Sequence, residues 1–314
     1  MRKNAFMFTI VSLAIASPIS TFASSPDKMA YQFDGLSLNA GLGYLSGESH
    51  EYVYIENTDR KLSQLNWKIN NALITKAEIN YDLLSWLSLN GRGWTTLSKS
   101  KGLLDDYDWL NDNQAHWTDW SHHENTHLDY GNGIDLNLQT WLLYNQNYKL
   151  GLLGGYERNS FSFMAKGGCF QYDNGRYFGC FADDEPGIGY RQTFSSPYVG
   201  LTGKYAVNNI ELNLLFKFSN WVKANDNDEH YARNLTFKEW GDSSRFHSLT
   251  LNAGYYFTKN TKIFAEASYT RYSNAKANME ITDNDSGERL YIPNSAGLDN
   301  KNYALMLGLK YIFN

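Results

Sequence analysis

Three short acidic stretches in this chain could do chemistry together. One is Leu104-Asp105-Asp106-Tyr107-Asp108-Trp109, followed by Trp117-Thr118-Asp119-Trp120-Ser121-His122-His123. The second is Asp226-Asn227-Asp228-Glu229-His230-Tyr231, and the third is Glu51-Tyr52-Val53-Tyr54. In an extended segment, side chains two apart point the same way, so Asp106 pairs with Asp108 and Asp228 with His230. Two such segments facing one another would bring four titratable groups together. Close like charges raise a carboxyl pKa, and a carboxylate beside a histidine raises that of the imidazole. Such a set could hold a water, deprotonate it and protonate a leaving amine, with no nucleophilic serine or cysteine.

Plainer readings compete with this one. An Asp-x-Asp in a loop usually bonds its own backbone or stays solvated. Asp226-Asn227-Asp228 lacks the spacing and glycine of an EF-hand loop. His122, His123 and His230 lack the helical spacing or cysteine set of a zinc site, so no metal is expected.

The elements that carry these residues read as strands. Leu36–Tyr44, Ile134–Gln139, Ile210–Leu214, Leu249–Ala253 and Ile263–Ala267 alternate apolar with small or polar residues. That period of two sends one set of side chains to each face. Tight turns are expected at Asn80-Tyr81-Asp82, Asn145-Gln146-Asn147, Asn208-Asn209 and Lys259-Asn260. Long polar connections are expected at 46–66, 98–133, 158–194, 222–247 and 273–301. Nine connections imply ten antiparallel strands, with both termini on the short-turn side. Lopsided loops of this kind mark an all-β transmembrane barrel of the outer membrane, with five long extracellular loops and four short periplasmic turns. Leu305–Phe313 reads as the closing strand, although Asn314 follows where such barrels usually end on an aromatic residue.

The N-terminus agrees with export. Arg2 and Lys3 precede the apolar run Ala5–Ala16, and Thr21-Phe22-Ala23 offers a processing site, so 1–23 is expected to be a signal peptide. Residues 24–314 then form one barrel domain. Tyr 23, Phe 17 and Trp 9 accompany a mean hydropathy of −0.51, a combination suited to aromatic girdles around a polar lumen. The mature chain would carry 26 basic against 33 acidic residues. That excess argues against nucleic acid and permits a cationic substrate. Cys169 and Cys180 are expected to form a disulfide in an exported protein, a reactive thiol pair being the alternative.

An ordered set of motifs resembles the omptins, the outer-membrane proteases of enterobacteria. It runs through Ser63-Gln64-Leu65, Gly93-Trp94-Thr95-Thr96-Leu97, Asp106-Tyr107-Asp108-Trp109, Trp117-Thr118-Asp119 with Ser121, Tyr198–Gly203, Asp226–Tyr231 and Asn252–Tyr256. The resemblance implies a monomeric endopeptidase that cuts between two basic residues of cationic peptides or host proteins. It places the catalytic carboxylate pair on Asp106 and Asp108, and the Asp–His couple on Asp228 and His230. It assigns Glu51 and Asp226, lined by Leu104 and Ile188, to a pocket for the basic residue before the cut. Asp119 would favour a basic residue after the cut, and Ser121 would have a supporting role.

The resemblance also implies a need for lipopolysaccharide, held by arginines on the outer barrel face. Here Ser160 and Thr193 occupy two of those positions, and Arg158 and Arg191 sit two residues away, with Tyr156 nearby. Asp105 stands where relatives carry an apolar residue, so a more acidic cleft is expected. A catalytically inert adhesin is the alternative from another class. A porin is disfavoured because ten strands enclose little space.

Overall fold

The computed structural model describes residues 35–313, and the expected leader at 1–23 lies outside them. In chain order the strands are β1 Leu36–Tyr54, β2 Lys61–Leu84, β3 Leu87–Thr96, β4 Ser100–Asp108 and β5 Asp119–His123. Next come β6 Asn125–Tyr144, β7 Tyr148–Lys166, β8 Cys169–Tyr172, β9 Tyr177–Cys180 and β10 Pro186–Val207. β11 Ile210–His230, β12 Leu235–Tyr256, β13 Thr261–Asp283 and β14 Arg289–Phe313 complete the order.

Ten of these strands form one antiparallel ring, β1-β2-β3-β6-β7-β10-β11-β12-β13-β14. It closes where β14 pairs with β1, placing Ala40 opposite Leu309 and Tyr44 opposite Leu305. Closure pairs every strand on both sides, the condition for crossing lipid without helices. The expected ten-stranded barrel is present, and Leu305–Phe313 is its closing segment.

The alternation sorts the two faces. Leu136, Leu138, Leu150, Leu152, Leu305 and Leu307 are exposed on the lipid-facing side, and Trp86, Tyr144, Tyr205 and Tyr311 lie at its short-turn end. Inside, Lys217 bonds Asp135 at 2.6 Å and also Glu157, while Lys262 bonds Glu211 at 2.7 Å. Two cavities among these polar groups measure about 90 and 80 Å³. Higher up, Trp67, Leu104, Leu128, Phe161, Phe163, Ile188 and Tyr190 pack into an apolar plug, with Trp67 stacked on Tyr190 at 5.2 Å.

Two expectations need correction. The long connections are largely strand: between β1 and β2 only residues 55–60 remain outside the sheet. A tilted strand crosses the membrane in roughly 9–11 residues, whereas β1 has 19 residues and β14 has 25. The surplus stands in water, where both faces can be polar and the alternation fades from the sequence. Secondly, Asn80-Tyr81-Asp82 lies within β2, and the chain reverses at Ser85-Trp86 instead. Asn80 and Asp82 are buried, and Asp82 accepts a hydrogen bond from Ser88 at 2.6 Å. Turn-forming residue types here serve a polar interior. The turns at Asn145-Gln146-Asn147, Asn208-Asn209 and Lys259-Asn260 are present, and Asn208 takes a φ of 52° that suits a two-residue hairpin.

Candidate active site

A cleft of about 520 Å³ opens over Leu65 and Ile188 of the plug. Asp106 and Asp108 line it from β4, and Asp228 and His230 line it from β11. β2 holds β4 in place, with Asp106 opposite Leu65 and Asp108 opposite Ser63. β10 holds β11, with His230 opposite Ile188. The period of two therefore delivers both pairs to one cavity. Leu104, on the same face of β4, is fully buried in the plug.

His230 Nε2 lies 2.6 Å from Asp228 Oδ2. Its Nδ1 accepts a hydrogen bond from Arg233, which the 3₁₀ turn Tyr231–Arg233 folds back towards it. With Nδ1 accepting, Nε2 carries the proton and donates to Asp228. In this arrangement the imidazole has no free lone pair and cannot accept a proton while Arg233 holds that contact. Nothing in the spacing of the sequence signals that contact.

Burial, and then the charges of Asp108 and Asp228, push Asp106 well above the usual carboxylate range. Burial also raises Asp108, opposed by a Ser63 hydrogen bond and reinforced by the charge of Asp119. A raised folded pKa means that the native state keeps a proton the unfolded chain has already lost. Stability therefore falls as pH rises from about 4, where an unfolded aspartate titrates, through the raised folded value. Asp106→Asn should unfold at a higher temperature than the parent at pH 8 and at an equal one near pH 3. Thermal unfolding in detergent across that range checks this, and parallel curves for the two proteins would refute it.

Beside the two pairs lies a more buried acidic cluster. Glu51 from β1, Asp226 from β11 and Glu239 from β12 bring carboxylate oxygens within 4.8 Å of one another. They are 2%, 7% and 1% exposed. Asp226 stands opposite Glu239, whose N–H donates to Asp226 Oδ1 at 3.1 Å. Burial first, then neighbouring carboxylates, raises all three pKa values well above the ordinary range. Ile188 borders the cleft alongside Glu51.

The sequence model of the Omptin family matches residues 32–313. The chain belongs to the omptin family. It is 46% identical over 314 residues to a plasminogen activator of Yersinia pestis, with all of both chains covered. It is 41% identical to Protease 7 of Escherichia coli O157:H7, over 97% of this chain and 99% of that one. The crystal structure of outer membrane protease OmpT from Escherichia coli superposes with a TM-score of 0.86 at 40% identity, covering 93% of this chain and 99% of the other. This omptin is a β-barrel of the outer membrane.

Among the other residues of the omptin singled out in the sequence, Asp105 departs from expectation. Asp105 points away from the cleft: His122 Nδ1 lies 2.7 Å from it, Trp120 Nε1 donates to it at 3.3 Å, and Lys68 stands at 3.6 Å. Its register between Leu104 and Asp106 puts it on the opposite face, so it does not make the cleft more acidic. Asp119 stands opposite Asp108 in the sheet and accepts from Thr118 Oγ1 and, at 3.0 Å, from the Asp173 N–H. Ser121 Oγ donates to His123 Nε2 at 2.9 Å, and His123 Nδ1 donates to Gly167 O at 2.6 Å. The three histidines thus go separately to Asp105, Gly167 and Asp228. Cys169 and Cys180 form the expected disulfide, across the β8–β9 hairpin that pairs with β5 and brings Tyr172 to the cleft. Sequence reasoning missed Glu239 and Arg233. Strand alternation places Glu239 inward, but only β11–β12 pairing reveals its neighbour.

On the outer face, Ser160 and Thr193 bond each other at 3.0 Å. Arg191 sits one rung pair towards the mouth, opposite Ser162, and Arg158 sits the same distance the other way, opposite Ser195. Four residues of rise separate the two arginines by about 13 Å along the strands, with the Ser160–Thr193 rung midway between them. Each has an exposed lysine on its own rung: Lys223 beyond Ser195, and Lys238 beyond Asn227. Tyr156 is exposed next to Arg158 on the same strand face.

Proposed function

We propose that this omptin, an outer-membrane protease by family, is an endopeptidase that cuts extracellular polypeptides between two basic residues without a covalent intermediate. The observation that carries the reading is one cleft lined by Asp106 and Asp108 on one wall and the Asp228–His230 couple on the other. A water between the walls gives a proton to His230 and attacks the scissile carbonyl. Asp228 fixes the ring and stabilises the imidazolium. The raised Asp106–Asp108 pair retains a proton that it can share with the developing oxyanion. His230 then protonates the leaving amine, which restores the starting state. Glu51 and Asp226 take the basic side chain before the cut, since desolvated carboxylates favour a guanidinium or ammonium. Asp119 favours a basic side chain after it.

Arg233 fits this scheme as a resident cation that the substrate displaces. Arg233→Ala should raise kcat/KM several-fold, because the competent state no longer has to be released from that contact. A fall would make Arg233 part of the catalytic machinery instead. The primary test is an internally quenched peptide containing Ala-Arg-Arg-Ala, offered to refolded protein and to His230→Ala. Cutting between the arginines by the parent alone supports the reading, and no cutting by folded parent with or without lipopolysaccharide defeats it.

Lipopolysaccharide is proposed as the activating lipid. Two rungs, Arg158 with Lys223 and Arg191 with Lys238, would each take one phosphate in place of a shared site at Ser160 and Thr193. Arg158→Ser with Arg191→Ser should abolish the lipid dependence of cleavage. Unchanged dependence in peptide assays at graded lipopolysaccharide rules the two rungs out.

A further inference from the structure

We propose that Glu51, Asp226 and Glu239 form a binding site for a hard divalent cation, calcium by the chemistry of its donors. The β11–β12 hairpin and the sequence-distant β1 bring these carboxylates together, with oxygens within 4.8 Å of one another. Oxygens bound to one calcium at roughly 2.3–2.6 Å lie no further apart than about 5 Å. The cluster is close enough for such an ion without movement of the strands.

Several of their oxygens also lack a donor. Glu51 Oε2, Asp226 Oδ2 and both Glu239 carboxylate oxygens have no hydrogen-bond partner among the described residues. Gln192 supplies an independent observation. It stands opposite Asp226 on β10, is 0% exposed, and its Oε1 is likewise unpartnered. Its Nε2 is committed to the carbonyls of His50 and Asp299 and to the Tyr190 hydroxyl, while Oε1 accepts nothing. Buried acceptors without donors are costly unless a cation or proton answers them. The set is all oxygen, with no imidazole or thiolate, which selects calcium over softer metals. Glu51 borders the cleft, so an ion has a way in.

The same carboxylates are proposed above to take the substrate's basic side chain, and the competition between ion and substrate rests on that reading; binding of the ion does not. Glu239 would be the ligand that turns a two-carboxylate pocket for an organic cation into a site for a divalent one.

The test has two arms on full-length folded protein in neutral detergent, the first free of lipid and the second with lipopolysaccharide added. The first measures terbium luminescence sensitised by the aromatic residues beside the cluster, Tyr190 and Trp67. The expected result is saturable emission that calcium displaces, weakened by about tenfold or more in Glu239→Gln, since affinity follows the number of charged ligands. Asp285→Asn, in the exposed β13–β14 connection, serves as the control and should bind as the parent does. No saturable emission, or emission unaltered in Glu239→Gln, overturns the site. The second arm follows cleavage of the dibasic peptide, where calcium should raise KM without lowering kcat in the parent and not in Glu239→Gln. Calcium that lowers kcat alone overturns the competition. If no peptide is cut, the protease reading fails while the luminescence arm still decides the cation site.

Discussion

His230→Ala is expected to lower kcat/KM for an Arg-Arg peptide by about a hundred- to ten-thousandfold, the range for losing a positioned general base. Asp228→Ala should fall in the same range, because Asp228 accepts the Nε2 proton at 2.6 Å and fixes the ring. The double variant should lose little more than either single one. Groups that act as a unit fail together, and removing the second from a broken unit costs almost nothing. Losses that multiply would mean that the two residues act independently. A loss confined to KM would mean that they bind substrate and do not activate water. Ser121→Ala separates this mechanism from a serine nucleophile, since Ser121 donates to His123 and not to His230; its kcat should change by less than tenfold.

Glu51→Lys is the second large effect. Placing an ammonium where the substrate's guanidinium would lie sets like charges against each other at several kcal/mol, on the order of a thousandfold in kcat/KM. The barrel should tolerate the change. The new ammonium would lie beside Asp226 Oδ2 and the Glu239 carboxyl oxygens, which lack partners, and would answer them as an internal occupant. Heat-modifiable migration on gels would report the fold, and peptide hydrolysis the pocket. A folded variant that still cuts after arginine would show that the basic side chain binds elsewhere. Glu51→Gln should lie between the two, because it removes a charge without adding one of opposite sign.

The barrel was legible where lipid imposes strict alternation, as in Ile134–Gln139 and Leu305–Phe313. It was less legible above the membrane, where Lys61–Asn66, Phe237–Trp240 and Asn278–Ile281 are strand without such a constraint. The site was legible for a related reason. Asp106 with Asp108 and Asp228 with His230 are neighbours on one strand, so spacing of two was enough to read each pair. Glu239 belongs to a cluster assembled across three strands, and a single Glu in Lys238-Glu239-Trp240 has nothing nearby to mark it. Asp105 misled because its neighbours in sequence face the cleft while it faces outward, towards His122 and Lys68.

The apolar plug has a topological consequence. Trp67, Leu104, Phe163 and Tyr190 floor the cleft, and the salt-bridged lumen lies beneath. Polypeptide can therefore approach and depart only from the outside of the cell. Chains folding or passing through the periplasm never meet the cleft, so the barrel isolates the cell's own exported proteins by compartment. A hydrolase walled off in this way has no need of an inhibitory prosegment to spare its host.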